Sequence, residues 1–132
     1  MIKIIKTGIA YLFICFLFLA CTKEAGPGGL ATIKGKVYGR DITSGGNLKA
    51  EGYMANWRVF ISVANNPSYF DDIRTSYDGS YEFKFLRKGS YDIWAFSDCD
   101  TCAIKTQAVI KKGIEISDKK GEVTVPDLEI IY

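Results

Sequence analysis

The sequence predicts an all-β protein: a single Greek-key β-sandwich of about seven strands behind an N-terminal secretory leader. Three observations predict it. From Ala31 onward apolar residues recur with a period of two. Asp-Gly and Lys-Gly signals punctuate the runs, and no later segment combines helical period with helical length.

The leader comes first. A basic head, Met1 to Lys6, precedes an apolar run from Ile9 to Ala20, the two parts of a secretory signal. The run is far short of the ~20 apolar residues that a membrane-spanning helix needs, so residues 1–20 read as a signal peptide. The small Ala20 before Cys21 suits peptidase cleavage, and Phe18-Leu19-Ala20-Cys21 resembles a bacterial lipobox, with Phe18 where that motif carries leucine. The resemblance implies diacylglycerol on the Cys21 sulfur, cleavage before Cys21 and acylation of the freed amine. Such a chain is expected in the cell envelope, lipid-anchored at the outer membrane of a Gram-negative bacterium. Residues 21–30, short, polar and glycine-rich, are then expected as a lipidated flexible tether, and residues 31–132 as the domain.

Removing residues 1–20 from a chain of 132 leaves 112, enough for one core and too few for two. Lys3 and Lys6 leave with the signal, so 15 basic residues face 15 acidic ones and the mature net charge is about zero. No basic patch with interleaved aromatics stands out, which disfavours nucleic acid as a partner. Histidine is absent, which removes imidazole bases, Ser-His and Cys-His nucleophiles and most zinc sites. An enzyme would have to work with carboxylates, lysine or tyrosine, and no carboxylate pair sits in a recognisable motif. No cofactor is implied.

Of four cysteines, Cys15 leaves with the signal and Cys21 is taken by lipid, so Cys99 and Cys102 remain in "DCDTC". Flanking Asp98 and Asp100 repel a thiolate, against a redox-active pair; zinc lacks two further ligands. A structural disulfide is the favoured reading in an exported protein, with free thiols the alternative.

The strands follow in order as Thr32–Tyr38, Trp57–Val63, Ile73–Tyr77, Tyr81–Phe85, Tyr91–Ser97, Lys105–Ile110 and a C-terminal run to Tyr132. Asp78-Gly79 supplies the positive φ of a tight hairpin between the third and fourth. "RKGSY" before Tyr91, "KKG" before Ile114 and "DKKG" before Glu122 are expected as further tight hairpin turns. Pro126, which cannot donate to a ladder, implies an edge strand or a bulge.

Gly35-Lys-Val37, Asp78-Gly-Ser-Tyr-Glu-Phe83, Leu86, Gly89 and Tyr91-Asp-Ile93 together resemble a carboxypeptidase regulatory-like domain, the transthyretin-like or prealbumin-like sandwich. The resemblance spans nearly all of the mature chain. It implies a prealbumin-like fold and an accessory, non-catalytic module, here standing alone as a small lipoprotein.

If successive strands run antiparallel, the loop entering Trp57, the Asp78-Gly79 turn and the Cys99–Cys102 loop share one end of the sandwich. Residues 65–71 and 87–90 share the other. The first end gathers Asp41, Tyr53, Trp57, Asp78, Asp98 and Asp100. Calcium needs six to eight oxygen ligands; with no D-x-D-x-D-G loop these read as solvated carboxylates, and no metal is expected. Phe60, Trp94 and Phe96 alternate onto an outward face. Cover by the long loop 39–56 or by the C-terminal strand is the favoured expectation. Left uncovered, Trp94 and Phe96, with Trp57, form the candidate binding surface. The function expected is that of a lipid-anchored adhesion, scaffold or ligand-binding module contacting an envelope protein or a glycan. The alternative is a carbohydrate-binding accessory of a polysaccharide-uptake system.

Overall fold

The computed structural model describes residues 24–132. The signal peptide expected over residues 1–20 and the lipidation expected at Cys21 lie outside the described residues. Within them the chain forms nine strands: β1 (Pro27–Ile42), β2 (Leu48–Tyr53), β3 (Arg58–Val63), β4 (Asp71–Arg74), β5 (Ser80–Leu86), β6 (Gly89–Asp98), β7 (Thr106–Ile116), β8 (Glu122–Thr124) and β9 (Leu128–Ile131). No helix occurs among the described residues. Two sheets pack face to face as a β-sandwich.

β1 organises the first sheet. Every second residue from Ala31 to Gly39 is buried, as the period-two pattern requires. β1 is flanked on one side by β5 and β2, antiparallel, and on the other by β8 and β9, parallel: Ile33 pairs with both Phe83 and Val123, and Tyr38 with both Tyr53 and Glu129. The second sheet runs β4-β3-β6-β7, antiparallel throughout. Between the sheets lie Ile33, Val37, Phe83 and Leu128 against Val59, Ile61, Tyr91, Ile93 and Ala95, all buried.

Gly35 is small for a packing reason. A Cβ there would lie 2.5 Å from the Tyr81 hydroxyl, so its absence lets the tyrosine ring lie flat against β1.

Four expectations need correction. The segment 39–56, read as one long loop, contains the end of β1, a turn at residues 43–47 and β2, because Tyr38, Arg40 and Ile42 pair with Tyr53, Glu51 and Leu48. Asp78-Gly79 does turn, with Gly79 at φ 76°, but it joins no hairpin: β4 pairs with β3 and β5 with β1, so the turn carries the chain between sheets. The Arg87–Gly89 turn and that of residues 118–121 cross between sheets in the same way. Lys112-Gly113 is a bulge inside β7, where Tyr91 pairs with Ile114 but Ile93 with Lys111. Pro126 falls between β8 and β9, which both lie at the sheet edge.

The segment expected as a tether over residues 21–30 is strand from Pro27 onward. Its entry is fastened earlier still. The Tyr91 hydroxyl, on a fully buried ring, accepts from Gly26 N at 2.8 Å and donates to the Arg87 carbonyl at 2.8 Å. The Arg87 amide donates to the Gly26 carbonyl at 2.9 Å, and Ala25 packs against Gly89.

Candidate functional site

The outer face of the second sheet carries the candidate site. Alternation along β3, β6 and β7 turns Phe60, Ser62, Asp92, Trp94, Phe96, Ala108, Ile110 and Lys112 to the same side, and they line one concavity of about 530 Å³ with residues of the β3–β4 loop. Its floor is aromatic. Phe60 stacks on Trp94 with centroids 5.7 Å apart and planes 14° apart, while Phe96 meets Phe60 edge-on at 5.6 Å. Offset and edge-on contacts are the arrangements that the ring quadrupoles favour.

One wall is the loop of residues 64–70. Its first turn needs the left-handed conformation of Asn65, φ 63°, which asparagine tolerates better than most residues. The Asp92 carboxylate holds this turn and the β7 bulge together, accepting from Asn65 N at 3.1 Å and from Gly113 N at 2.9 Å. Asn66 Oδ1 accepts from Ser68 N at 3.0 Å, and Phe70 turns inward against Tyr91. Tyr69 is thereby laid over the shelf, its ring 5.0 Å from Phe60 and 6.4 Å from Trp94. The opposite boundary is Arg58, whose guanidinium lies 5.1 Å from the Phe60 ring centroid and grips Asp72 with two bonds of 2.7 and 3.0 Å. That grip pulls the Asp72 carboxyl below its ordinary pKa.

The expected cover of these aromatics is therefore corrected. Neither the 39–56 segment nor the C-terminal strand lies across them; Tyr69 does, and only in part. Phe60 is buried beneath it, Trp94 is half-buried, and Phe96 is 47% exposed. What results is an apolar shelf edged by Asn65, Asn66, Asp92 and Lys112.

Trp94 and Phe96 thus sit side by side, but Trp57 is elsewhere. It closes the opposite end of the sandwich, donating Nε1–H to the Phe96 carbonyl at 3.1 Å while its ring lies 6.5 Å from Tyr132. Trp57 has the inward parity of Val59 and Ile61 and packs against the core, which is why it does not join the shelf. Sequence reasoning missed Tyr69, Asn65 and Ile110. An aromatic inside "NNPSYF" was the available signal for Tyr69.

Cys99 and Cys102 lie at the Trp57 end with their sulfurs at bonding distance and Cα atoms 5.4 Å apart. The strand-direction sorting of the loops holds: Asn56 and Thr75 are bonded at one end, Ala64 and Ser90 at the other. No group of three or more acidic or cysteine side chains converges among the described residues. Asp78 is occupied by its turn, with Oδ1 accepting from Ser80 N and Oγ and Oδ2 from Lys36.

A second concavity, about 820 Å³, lies between β4 and β5. Its lysines are paired, Lys34 with Glu122, Lys36 with Asp78 and Lys84 with Glu82, while Arg74 donates to the Asn56 carbonyl and Asp71 accepts from the Asp72 amide. Tyr81 forms part of its lining, and burial pushes the phenol strongly up from its usual pKa.

No protein-family model matches the chain, and no curated protein matches it. Among solved structures it is similar to a proposed carbohydrate-binding protein from Pseudomonas aeruginosa, with 15% identity over 82% of this chain and 92% of that chain, at a TM-score of 0.49. Fold and site together define a β-sandwich that presents a partly covered aromatic shelf on one sheet.

Proposed function

We propose that the protein is a non-catalytic, lipid-anchored envelope module that binds a carbohydrate on the shelf of β3, β6 and β7. The observation that carries this reading is the aromatic floor: Trp94 and Phe96 side by side, incompletely covered, within a rim that holds the Asn65 and Asn66 amides and the Lys112 ammonium group. A pyranose ring has an apolar C–H face and hydroxyls around its edge, so it matches an aromatic plate with polar groups at its border. The anchoring rests on the leader and the Cys21 sequence, and the assignment to carboxypeptidase regulatory-like domains rests on the Gly35 to Ile93 motifs. Asp92 is spent on two backbone amides, which fits it to clamping the loop rather than to proton transfer.

Glycan-array binding by the intact chain, abolished in Trp94→Ala while the circular dichroism stays that of a β-protein, is the expected result. Binding to no glycan ends the carbohydrate reading.

A further inference from the structure

The attachment of residues 25 and 26 to the sandwich limits how far the domain can stand from an acylated Cys21. Cys21 and Glu24 are three residues apart, so their Cα atoms are separated by at most ~11 Å whatever path Thr22 and Lys23 take. Beyond Glu24 there is no slack. Ala25 packs on Gly89, and Gly26 is bonded to Tyr91 and Arg87. The end of the sandwich that receives this segment must therefore lie beside the lipid headgroups.

That end is also chemically distinct. Its inter-strand loops, residues 64–70, 87–88 and 117–121, carry Arg87, Lys88, Lys119 and Lys120 against Asp118, with Glu24 beside them. The loop of residues 117–121 belongs here because Ile116 pairs with Gly89 and the Gly121 carbonyl accepts from Thr32. The loops of the opposite end, residues 43–47, 54–57, 75–79 and 99–105, carry Asp78 and Asp100 against Lys105. Exposed apolar side chains occur at both ends, Phe85 at the first and Tyr77 and Ile104 at the second, so tether length and charge decide the orientation. Basic groups held within about a Debye length of anionic lipid are attracted to it.

We infer that the acylated chain docks its β3–β4, β5–β6 and β7–β8 loops onto the anionic phospholipid surface of its own membrane. The inference rests on the lipid-anchoring part of the proposed function and not on the carbohydrate part. The exposed Lys88, Lys119 and Lys120 face the phosphates, with the half-buried Arg87 beside them against Gly28, and the Cys99–Cys102 end points away. The shelf then opens sideways, with its Tyr69 wall nearest the bilayer.

The test is paramagnetic broadening of amide resonances, using the full acylated protein in nanodiscs of phosphatidylethanolamine and phosphatidylglycerol doped with headgroup-nitroxide lipid. Several-fold stronger broadening at Asn66, Lys88 and Lys119 than at Gly45, Ser76 and Thr101 is the expected result. A flexible Gly-Ser insertion between Lys23 and Glu24 should flatten that gradient. Uniform or reversed broadening, or a purified chain without fatty acid, overturns the inference. A gradient left unchanged by K88E/K119E/K120E overturns the role given to the basic loops. Glycan binding measured on the same preparation is a separate readout, so loss of the gradient with binding retained sinks only the orientation.

Discussion

On the outer face of the first sheet, Lys34 meets Glu122, Lys36 meets Asp78, Lys84 meets Glu82, and Arg40 lies 3.3 Å from both Glu51 and Glu129. On the outer face of the second, the equivalent outward positions of β3 and β6 hold Phe60, Trp94 and Phe96. Both faces come from the same alternation, but they are completed differently. Exposed ion pairs contribute only about 0–1 kcal/mol each and leave a face solvated and self-sufficient. Aromatic rings gain about 1.5–3 kcal/mol when fully buried, and here Tyr69 leaves part of that unrealised, since Phe96 is 47% exposed. The charged face also carries Tyr38 and Tyr53, the latter 49% exposed, but there Arg40 and Lys36 lie over the two rings. The aromatic face still has apolar area to cover, which is the physical reason for placing a ligand there.

The comparison breaks most decisively at Trp94. Truncation of a central aromatic typically costs about 2 kcal/mol or more in a binding site, so Trp94→Ala should lower glycan affinity about thirtyfold or more by calorimetric titration, whereas Lys84→Ala should leave it unchanged.

Next is the core beneath the charged face. Gly35→Ala inserts a Cβ 2.5 Å from the Tyr81 hydroxyl, an overpacking that should cost about 1–3 kcal/mol in urea unfolding. Adding Tyr81→Phe should restore only a small part of that loss, because the ring carbon Cζ would still lie 2.7 Å from the new Cβ. Tyr81→Phe alone should be neutral or slightly stabilising, because the buried hydroxyl has no hydrogen-bond partner among the described residues.

A smaller effect concerns pH. Hydrogen bonds from Ser80, by side chain and backbone, and then from Lys36 hold the Asp78 carboxyl at about 2 against an ordinary 3.8. A depressed carboxyl stabilises the fold above its unfolded pKa and loses that contribution as pH falls toward the folded one. Stability from Asp78 is therefore full above about pH 4 and fades toward pH 2; melting temperatures across this window should fall less steeply in Asp78→Asn. Smallest is Lys84→Ala, which removes an exposed pair and should change unfolding free energy by no more than about 0.5 kcal/mol. A larger loss would show that the charged face is more than a solvated surface.

The positions that carry the resemblance to carboxypeptidase regulatory-like domains all turn out to do structural work. Gly35 makes room for Tyr81, Gly79 turns the chain, Phe83, Leu86 and Ile93 fill the core, and Tyr91 fastens Gly26. That is why the sequence spoke clearly about fold and faintly about ligand: motif residues that set a backbone say nothing of what an outward face touches.

Alternation by itself determined that Trp94 and Phe96 would share one side of their strand and that Phe60 would lie opposite Val59 and Ile61 on its own. Successive side chains on a strand point to opposite sides whatever the strand pairs with; the pairing of Phe60 with Trp94 brought the three together. The sequence pattern also determined the all-strand class and the positions of most turns. Only the tertiary structure decided which sheet each strand joined, that Asp78-Gly79 passes between sheets rather than closing a hairpin, and that Tyr69 rather than the 39–56 segment lies over the aromatics. The physical reason is range. Side-chain direction is set within two residues, whereas pairing partners such as Ile33 and Val123, or Gly26 and Tyr91, lie 65 or more positions apart and are selected by the burial of the whole core.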